Sequence, residues 1–385
     1  MNKPVLVVTA LLTNLVTAGF VTSIGLIMGA AGSHFGVPIE TSAAHFSFLT
    51  GGIFAGYIAS LFAFSFVSER LIFVVSSGAI LLFVLLIRAS SSLSTVSASM
   101  FGAGFSASLL ACGAGTLIAR VWVGRARQAI LISQDAVFNG GGILVSIVTP
   151  LLLAGGFHWA TIHLFVAAIA VSIALISSLA AIFPTEISGE AVSKLPITAG
   201  WNSGLVLAGL SLLLFFLAKI SIFVWSPQFA ESRFGDGSDL PGNMMSGLFF
   251  GAFSGAMVGV YLASRMPIRR LLAALVVLGI ASLVVVYFGN SSLIAIGAIT
   301  CYGISVSATF NAYVAFGLGF TTSPMHHHVA FLFLCASFGG AVAPFVSSRV
   351  VAVTNGDPGA AIIFAIGVLT VTYAILSISM FVKKA

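Results

Sequence analysis

Residues 4–31, PVLVVTALLTNLVTAGFVTSIGLIMGAA, run without a charged side chain. A bilayer takes about 20 apolar residues of helix to cross. In lipid every backbone N–H and C=O must be satisfied within the protein, so a run of this kind folds as a helix. Similar runs recur to the end of the chain. Breaks rich in Gly, Pro and charge divide it into twelve expected spans, near 4–31, 42–67, 71–88, 94–120, 127–154, 159–183, 202–227, 241–264, 268–288, 292–316, 327–352 and 358–381. Composition excludes a soluble alternative. Of 385 residues, 59% are hydrophobic and only 6% charged, against about 25% charged in a soluble domain. Mean hydropathy is +1.18. The first run is too long for a secretion-signal core and is expected to be retained as a helix.

The basic residues orient the spans. With both termini inside, the inner ends and loops hold Lys3, Arg70, Arg120, Arg125, Arg127, Lys194, Arg265, Arg269, Arg270, Lys383 and Lys384. The outer ones hold Arg88, Arg233 and Arg349, and Lys219 falls inside a span. This bias predicts a multi-pass protein of the bacterial inner membrane with cytoplasmic termini. The longest polar stretch, PTEISGEAVSKLPITAG at 184–200, lies at the middle of the chain. The expected organisation is therefore an N-terminal six-helix bundle (1–183), a cytoplasmic linker (184–200) and a C-terminal six-helix bundle (201–385). Two six-span halves are the layout of the major facilitator superfamily.

Several classes of function are disfavoured. Cys112, Cys301 and Cys335 sit in apolar segments without CxxC or Cys/His ligand spacing. There is no P-loop and no metal-ligand or nucleophile–base set, so no cofactor, metal or enzymatic activity is expected. The net charge of +6 is spread over segment ends, which does not suit nucleic acid. In MHHHVAF (325–331), consecutive histidines on a helix fan out about 100° apart and do not converge on one ion. His45 and His163 read as satisfied polar contacts.

Three stretches carry a narrower resemblance. LTNLVTAGFVTSIGLIMGAAGSHFGVPIETSAAHFSFLTGGI (12–53), SQDAVFNGGG (133–142) and ISIFVWSPQFAESRFG (220–235) resemble the TsgA-like branch of the major facilitator superfamily, near the fucose:proton symporters. The resemblance implies a secondary transporter fold and supplies no substrate. Those symporters carry an acidic residue in span one, where this chain has Thr13, Asn14 and Thr17.

Asp135 is the residue most in need of explanation. It lies about 12 Å from the inner face at 1.5 Å per residue. A carboxylate at that depth must be neutral, paired or in a wet cavity. One reading makes it the proton-coupling site. The other is a permanent ion pair with Arg120 or Arg125 near the turn between spans four and five. Lys219 is expected about 25 Å along span seven, near the outer end. There it either snorkels beside Trp225 or binds an anion, with Glu231, Asp236 or Asp239 as gating partners. These depths place Asp135 and Lys219 more than about 10 Å apart in height, without a direct pair.

Spans one, four, seven and ten are expected to line the cavity of this fold, through Asn14, Thr17, Ser106, Ser108, Lys219, Tyr302, Asn311 and Tyr313. Asn139 shares the face of Asp135 at i,i+4, whereas Gln134 points elsewhere. Arg120 and Glu231 are the expected gating residues. The partners expected are a small solute, a sugar or an anionic metabolite, with protons and membrane lipid. A proton-independent carrier and a non-transporting membrane sensor remain alternatives to proton-coupled transport.

Overall fold

A computed structural model describes residues 3–121, 124–179, 202–235, 239–307, 309–320 and 326–381. The expected linker 184–200 and both bundle boundaries lie outside them. Thirteen helices make up the described fold, and no strand occurs among the described residues. They are α1 (Lys3–Phe35), α2 (Ile39–Phe66), α3 (Glu69–Ala89), α4 (Leu93–Val121), α5 (Gly124–Ala154), α6 (Thr161–Leu179) and α7 (Ser203–Phe234). After these come α8 (Leu240–Arg265), α9 (Ile268–Phe288), α10 (Ser292–Ser307), α11 (Thr309–Leu318), α12 (His326–Val353) and α13 (Gly359–Phe381).

Among the described residues, nine helices are long and apolar enough to cross a bilayer, or ten if the α10–α11 pair counts as one broken span. The sequence predicts one helix over 292–316, and α10 and α11 cover that span on either side of residue 308, with a bend of 40° between Ser292–Ser307 and Ala312–Leu318. Around it, Ser307 Oγ donates to the Ile304 carbonyl at 2.9 Å and Thr309 Oγ1 to the Ser305 carbonyl at 2.5 Å. Such back-bonding by Ser and Thr competes with the helix ladder and bends it.

Packing follows the small residues. A Cβ on Gly52 of α2 would overlap the Phe101 carbonyl of α4, and one on Gly104 the Leu49 carbonyl of α2. Gly251 of α8 and Gly303 of α10 stand in the same relation to the carbonyls of Thr300 and Leu248. One constant offset along the chain carries Gly52 to Gly251, Gly56 to Gly255 and Gly104 to Gly303. Glycine at these crossings lets two backbones touch where lipid offers no hydrophobic drive for association.

Two buried clusters result. The first is built mainly from α1 to α6, around Phe20, Phe46, Phe73 and Trp159. The second is built mainly from α7 to α13, around Phe215, Phe249, Tyr302 and Tyr313. Helices of the two groups meet through α1 with α7, α2 with α12, and α5 with α8.

Candidate functional site

A cavity of about 300 Å³ lies where these groups meet, midway along the helices. From α1 come Asn14 and Thr17, and from α2 Thr50 and Tyr57. From α5 come Asp135, Phe138 and Asn139, and from α7 Phe216, Lys219 and Phe223. Ser307, Phe310, Phe333 and Ser337 line the far side. The spacing explains which residues face inward. Asp135 and Asn139 are separated by one turn, and Phe216, Lys219 and Phe223 follow the i, i+3, i+7 stripe of a helix.

Asp135 is exposed although it sits in the middle of an apolar helix, because its face of α5 borders the cavity. The Lys219 ammonium lies 5.2 Å from the Phe216 ring centroid and 5.5 Å from that of Phe223. Both distances are within cation–π range. Asp135 and Lys219 line the same cavity from α5 and α7. Depth counted along each helix separates these two residues in height, yet they border one cavity. That estimate assumed helices parallel to the membrane normal and starting from one plane, and a rise per residue measures position along a helix only. The snorkelling expectation fails. Lys219 faces the central cavity, and Trp225 is fully buried with its Nε1 donating to Ser347 Oγ at 3.0 Å.

The other expected residues divide. Asn14, Thr17 and Asn139 line the cavity with Asp135 and Lys219. Tyr302 and Tyr313 do not; both are fully buried in the second cluster, and the Tyr313 hydroxyl shares a hydrogen bond with Ser211 Oγ at 2.9 Å. Ser106 and Ser108 donate to carbonyls of their own helix, Gly102 and Phe105, and α4 brings Ala111 to the cavity instead. Gln134 turns away to α1, donating to the Ala10 carbonyl at 3.4 Å. The side chains of Arg120, Arg125 and Asn311 lie outside the described set, as does Asp236. Glu231 lies twelve residues beyond Lys219, about 18 Å along α7. It borders a separate groove of about 900 Å³ with Ser33 and Gln228, so it does not pair with Lys219 here.

Sequence reasoning missed Thr50, Tyr57, Phe333 and Ser337 because it assigned the lining to spans one, four, seven and ten, and within span ten it chose Tyr302, Asn311 and Tyr313 over Ser307 and Phe310. Tyr57, a lone hydroxyl-bearing ring within the apolar α2, was a usable signal. Phe310 was not, because nothing in its neighbourhood marks which face points inward.

Beside the cavity, toward the α7–α8 connection, the two helix groups close together on freed carbonyls. Pro227 has no N–H, so the Phe223 carbonyl four residues earlier loses its helical partner. Gly25 of α1 passes over that carbonyl, and a Cβ there would stand 2.5 Å from it and 2.7 Å from the Val224 carbonyl. Pro150 frees the Ser146 carbonyl in the same way, and Gly242 of α8 covers it, its Cβ position 2.6 Å away. Gln228 Nε2 donates to the Gly25 carbonyl at 3.1 Å, and the Ser146 and Ser246 hydroxyls bond at 2.8 Å.

At that same end His34 and His158 stack edge to face, 5.0 Å between centroids. Burial, then the Arg88 charge and His34, hold the His158 imidazole below its ordinary value. His45 bonds Ser97 Oγ at 2.7 Å and His163 bonds Ser23 Oγ at 3.1 Å. Among the described residues no group of three or more His, Cys, Asp or Glu is placed to hold a metal ion.

No protein-family model matches the chain. It is similar over its full length to the TsgA homologue of Citrobacter koseri, 23% identical over 391 residues and covering 96% of that protein. The same coverage holds for TsgA of Escherichia coli O17:K52:H18, at 22% identity over 385 residues. Among solved structures, a mutant form of the nucleoside transporter NupG superposes with a TM-score of 0.79 at 14% identity, covering 98% of this chain and 99% of that one. A bacterial homologue of the human lysosomal transporter Spinster, inward-facing and unoccupied, gives 0.72 at 14% identity, covering 98% and 96%. Both neighbours are transporters, not enzymes.

Proposed function

We propose that this chain, a TsgA-like multi-pass bacterial membrane protein with the major facilitator fold, is a proton-coupled secondary transporter of a small solute. Its twelve spans form two six-helix bundles, 1–183 and 201–385, joined by a cytoplasmic linker at 184–200, in the inner membrane with both termini inside. The repeated glycine offset and the two core clusters support this arrangement. The bundles rock about the central cavity, exposing it to one side at a time.

One observation carries the reading: an exposed carboxylate, Asp135, faces an ammonium, Lys219, across a cavity formed between the two helix groups. A carboxylate there can take a proton from one side and release it to the other. Lys219, Asn139 and Asn14 contact the solute, and Asn311 joins them. Arg120 and Glu231 gate opposite ends. The test uses purified protein in liposomes loaded with a pH-sensitive dye, screened with sugars, organic acids and nucleosides. Asp135→Asn should abolish pH-driven accumulation and spare solute exchange. Retained accumulation would remove Asp135 from the coupling role. The interaction with Lys219 also suits a fixed ion pair in a proton-independent carrier. Flux insensitive to pH in both wild type and Asp135→Asn would establish that reading instead.

A further inference from the structure

We propose that the cavity carries a small monoanion with an apolar body together with one proton, electroneutrally, the anion replacing the Asp135 carboxylate as counterion to Lys219. This rests on the transport reading above and names its substrate class and stoichiometry.

The argument is one of charge balance. Among the described residues lining the cavity, Asp135 of α5 and Lys219 of α7 are the charged ones, and Tyr57 of α2 is the other titratable one. The elements α1, α4, α8, α10, α11 and α12 contribute only neutral side chains to that lining. Among the described lining residues the charges are therefore balanced, one positive against one negative. A proton arriving alone would leave Lys219 uncompensated. An anion arriving alone would leave an excess negative charge. Each imbalance costs several kcal/mol in a low-dielectric interior. Proton and anion arriving together restore neutrality, so each favours binding of the other, and by linkage the preference is reciprocal. Both the loaded and the empty carrier are then neutral, and each can reorient without moving charge through the membrane.

The position of Lys219 suits an exchange of partners. Phe216 and Phe223 bracket the ammonium at 5.2 and 5.5 Å, which holds it at the cavity wall while its counterion changes. The rest of the wall is rich in rings, with Tyr57, Phe138, Phe310 and Phe333. They offer an apolar body somewhere to be buried. A volume of about 300 Å³ restricts that body to a small one. A neutral solute moving with a proton would leave the loaded cavity with net positive charge, so its transport would respond to membrane potential. The electrical signature separates the two cases.

The full chain would be reconstituted in liposomes with the potential clamped by potassium and valinomycin. Three radiolabelled impermeant probes would be offered: benzenesulfonate, uridine and benzyltrimethylammonium, carrying negative, zero and positive charge. Benzenesulfonate should accumulate down an imposed proton gradient, up to about tenfold per unit of pH difference, the limit for one-to-one coupling. A potential of either sign without a pH gradient should accumulate none. In Asp135→Asn the proton-driven accumulation should vanish and benzenesulfonate flux should become potential-driven, since the empty carrier now bears an unbalanced Lys219. Potential-driven uptake of benzenesulfonate by wild type overturns the proposal. So does proton-linked uptake of uridine or benzyltrimethylammonium without benzenesulfonate, although it leaves proton-coupled transport standing. No proton-linked flux of any probe sets aside both. The wild-type electrical result decides the stoichiometry even if the variant fails to fold.

Discussion

The same two helices, α1 and α7, build two neighbouring regions with opposite chemistry. At Asn14, Thr17, Lys219 and Phe223 they stand apart and line a cavity that holds charge. Two turns further along α1, Gly25 brings them into backbone contact over a carbonyl that Pro227 has freed. In the cavity, side chains meet open space, so polarity is tolerated. At the seal, backbone meets backbone, so even one Cβ is too much. The contrast teaches that an opening between bundles needs two designs side by side. On the proposed reading, one holds a solute and can change its charge state. The other closes backbone on backbone, and among the described residues the Gln228–Gly25 and Ser146–Ser246 hydrogen bonds cross it.

The largest expected effect comes from filling the seal. Gly25→Val places a Cβ 2.5 Å from the Phe223 carbonyl. Overpacking of this kind costs about 1–3 kcal/mol, enough to shift an equilibrium between states by about 5–150-fold. Transport should fall accordingly, and cysteines placed at 14, 17 or 21, on the cavity side of the seal, should react faster with an impermeant thiol reagent added from the α7–α8 end. Unchanged labelling would show that this crossing does not close the pathway.

Lys219→Ala should weaken solute binding by roughly tenfold or more, and Lys219→Arg by less, because a hydrogen bond to a charged group contributes about 1.5–3 kcal/mol. Equal affinities in wild type and both variants would separate the cavity lysine from recognition.

A smaller change follows from Gln228→Ala. It removes one hydrogen bond across the seal, about 1 kcal/mol, or about fivefold in the closed-to-open ratio. Labelling behind the seal should rise by that factor, while the pH dependence of transport, set in the cavity, should not move. A changed pH dependence would mean that the two regions are not separable.

The smallest effect lies beyond the seal, at His158. Burial, Arg88 and His34 hold its imidazole below the ordinary value of 6.5. The unfolded chain therefore binds the proton more readily than the folded one. The penalty is absent well above pH 6.5, grows as pH falls through that value, and levels off below the folded value. His158→Asn should melt with a flatter pH profile as pH falls through 6.5. An identical profile would assign the acid sensitivity elsewhere.

Much of the helical layout was legible because the rule behind it is local. The run at 4–31 becomes α1 (Lys3–Phe35), and that at 268–288 becomes α9 with the same limits. The 40° bend between α10 and α11 was not legible. Ser307 and Thr309 announce back-bonding only once the neighbouring carbonyls are in place. At the site, Asp135, Asn139 and Lys219 stood out as polar groups in apolar surroundings. Tyr302 and Tyr313 stood out for the same reason, yet they lie in the core of the second cluster. Sequence shows that a hydroxyl is present and does not show which way its helix is turned.

By itself, the sequence determined that this chain is helical and belongs in a bilayer, because too little charge is available to coat a globule and lipid accepts no unpaired backbone. It also marked where polarity interrupts the apolar runs. Only the tertiary structure decided which interruptions meet. Helix tilt and rotation, fixed by glycine crossings distant in sequence, bring Asp135 and Lys219 to one cavity and leave Glu231 in another. Depth counted along a single helix contains none of that information, because a distance between two helices is set by how they pack.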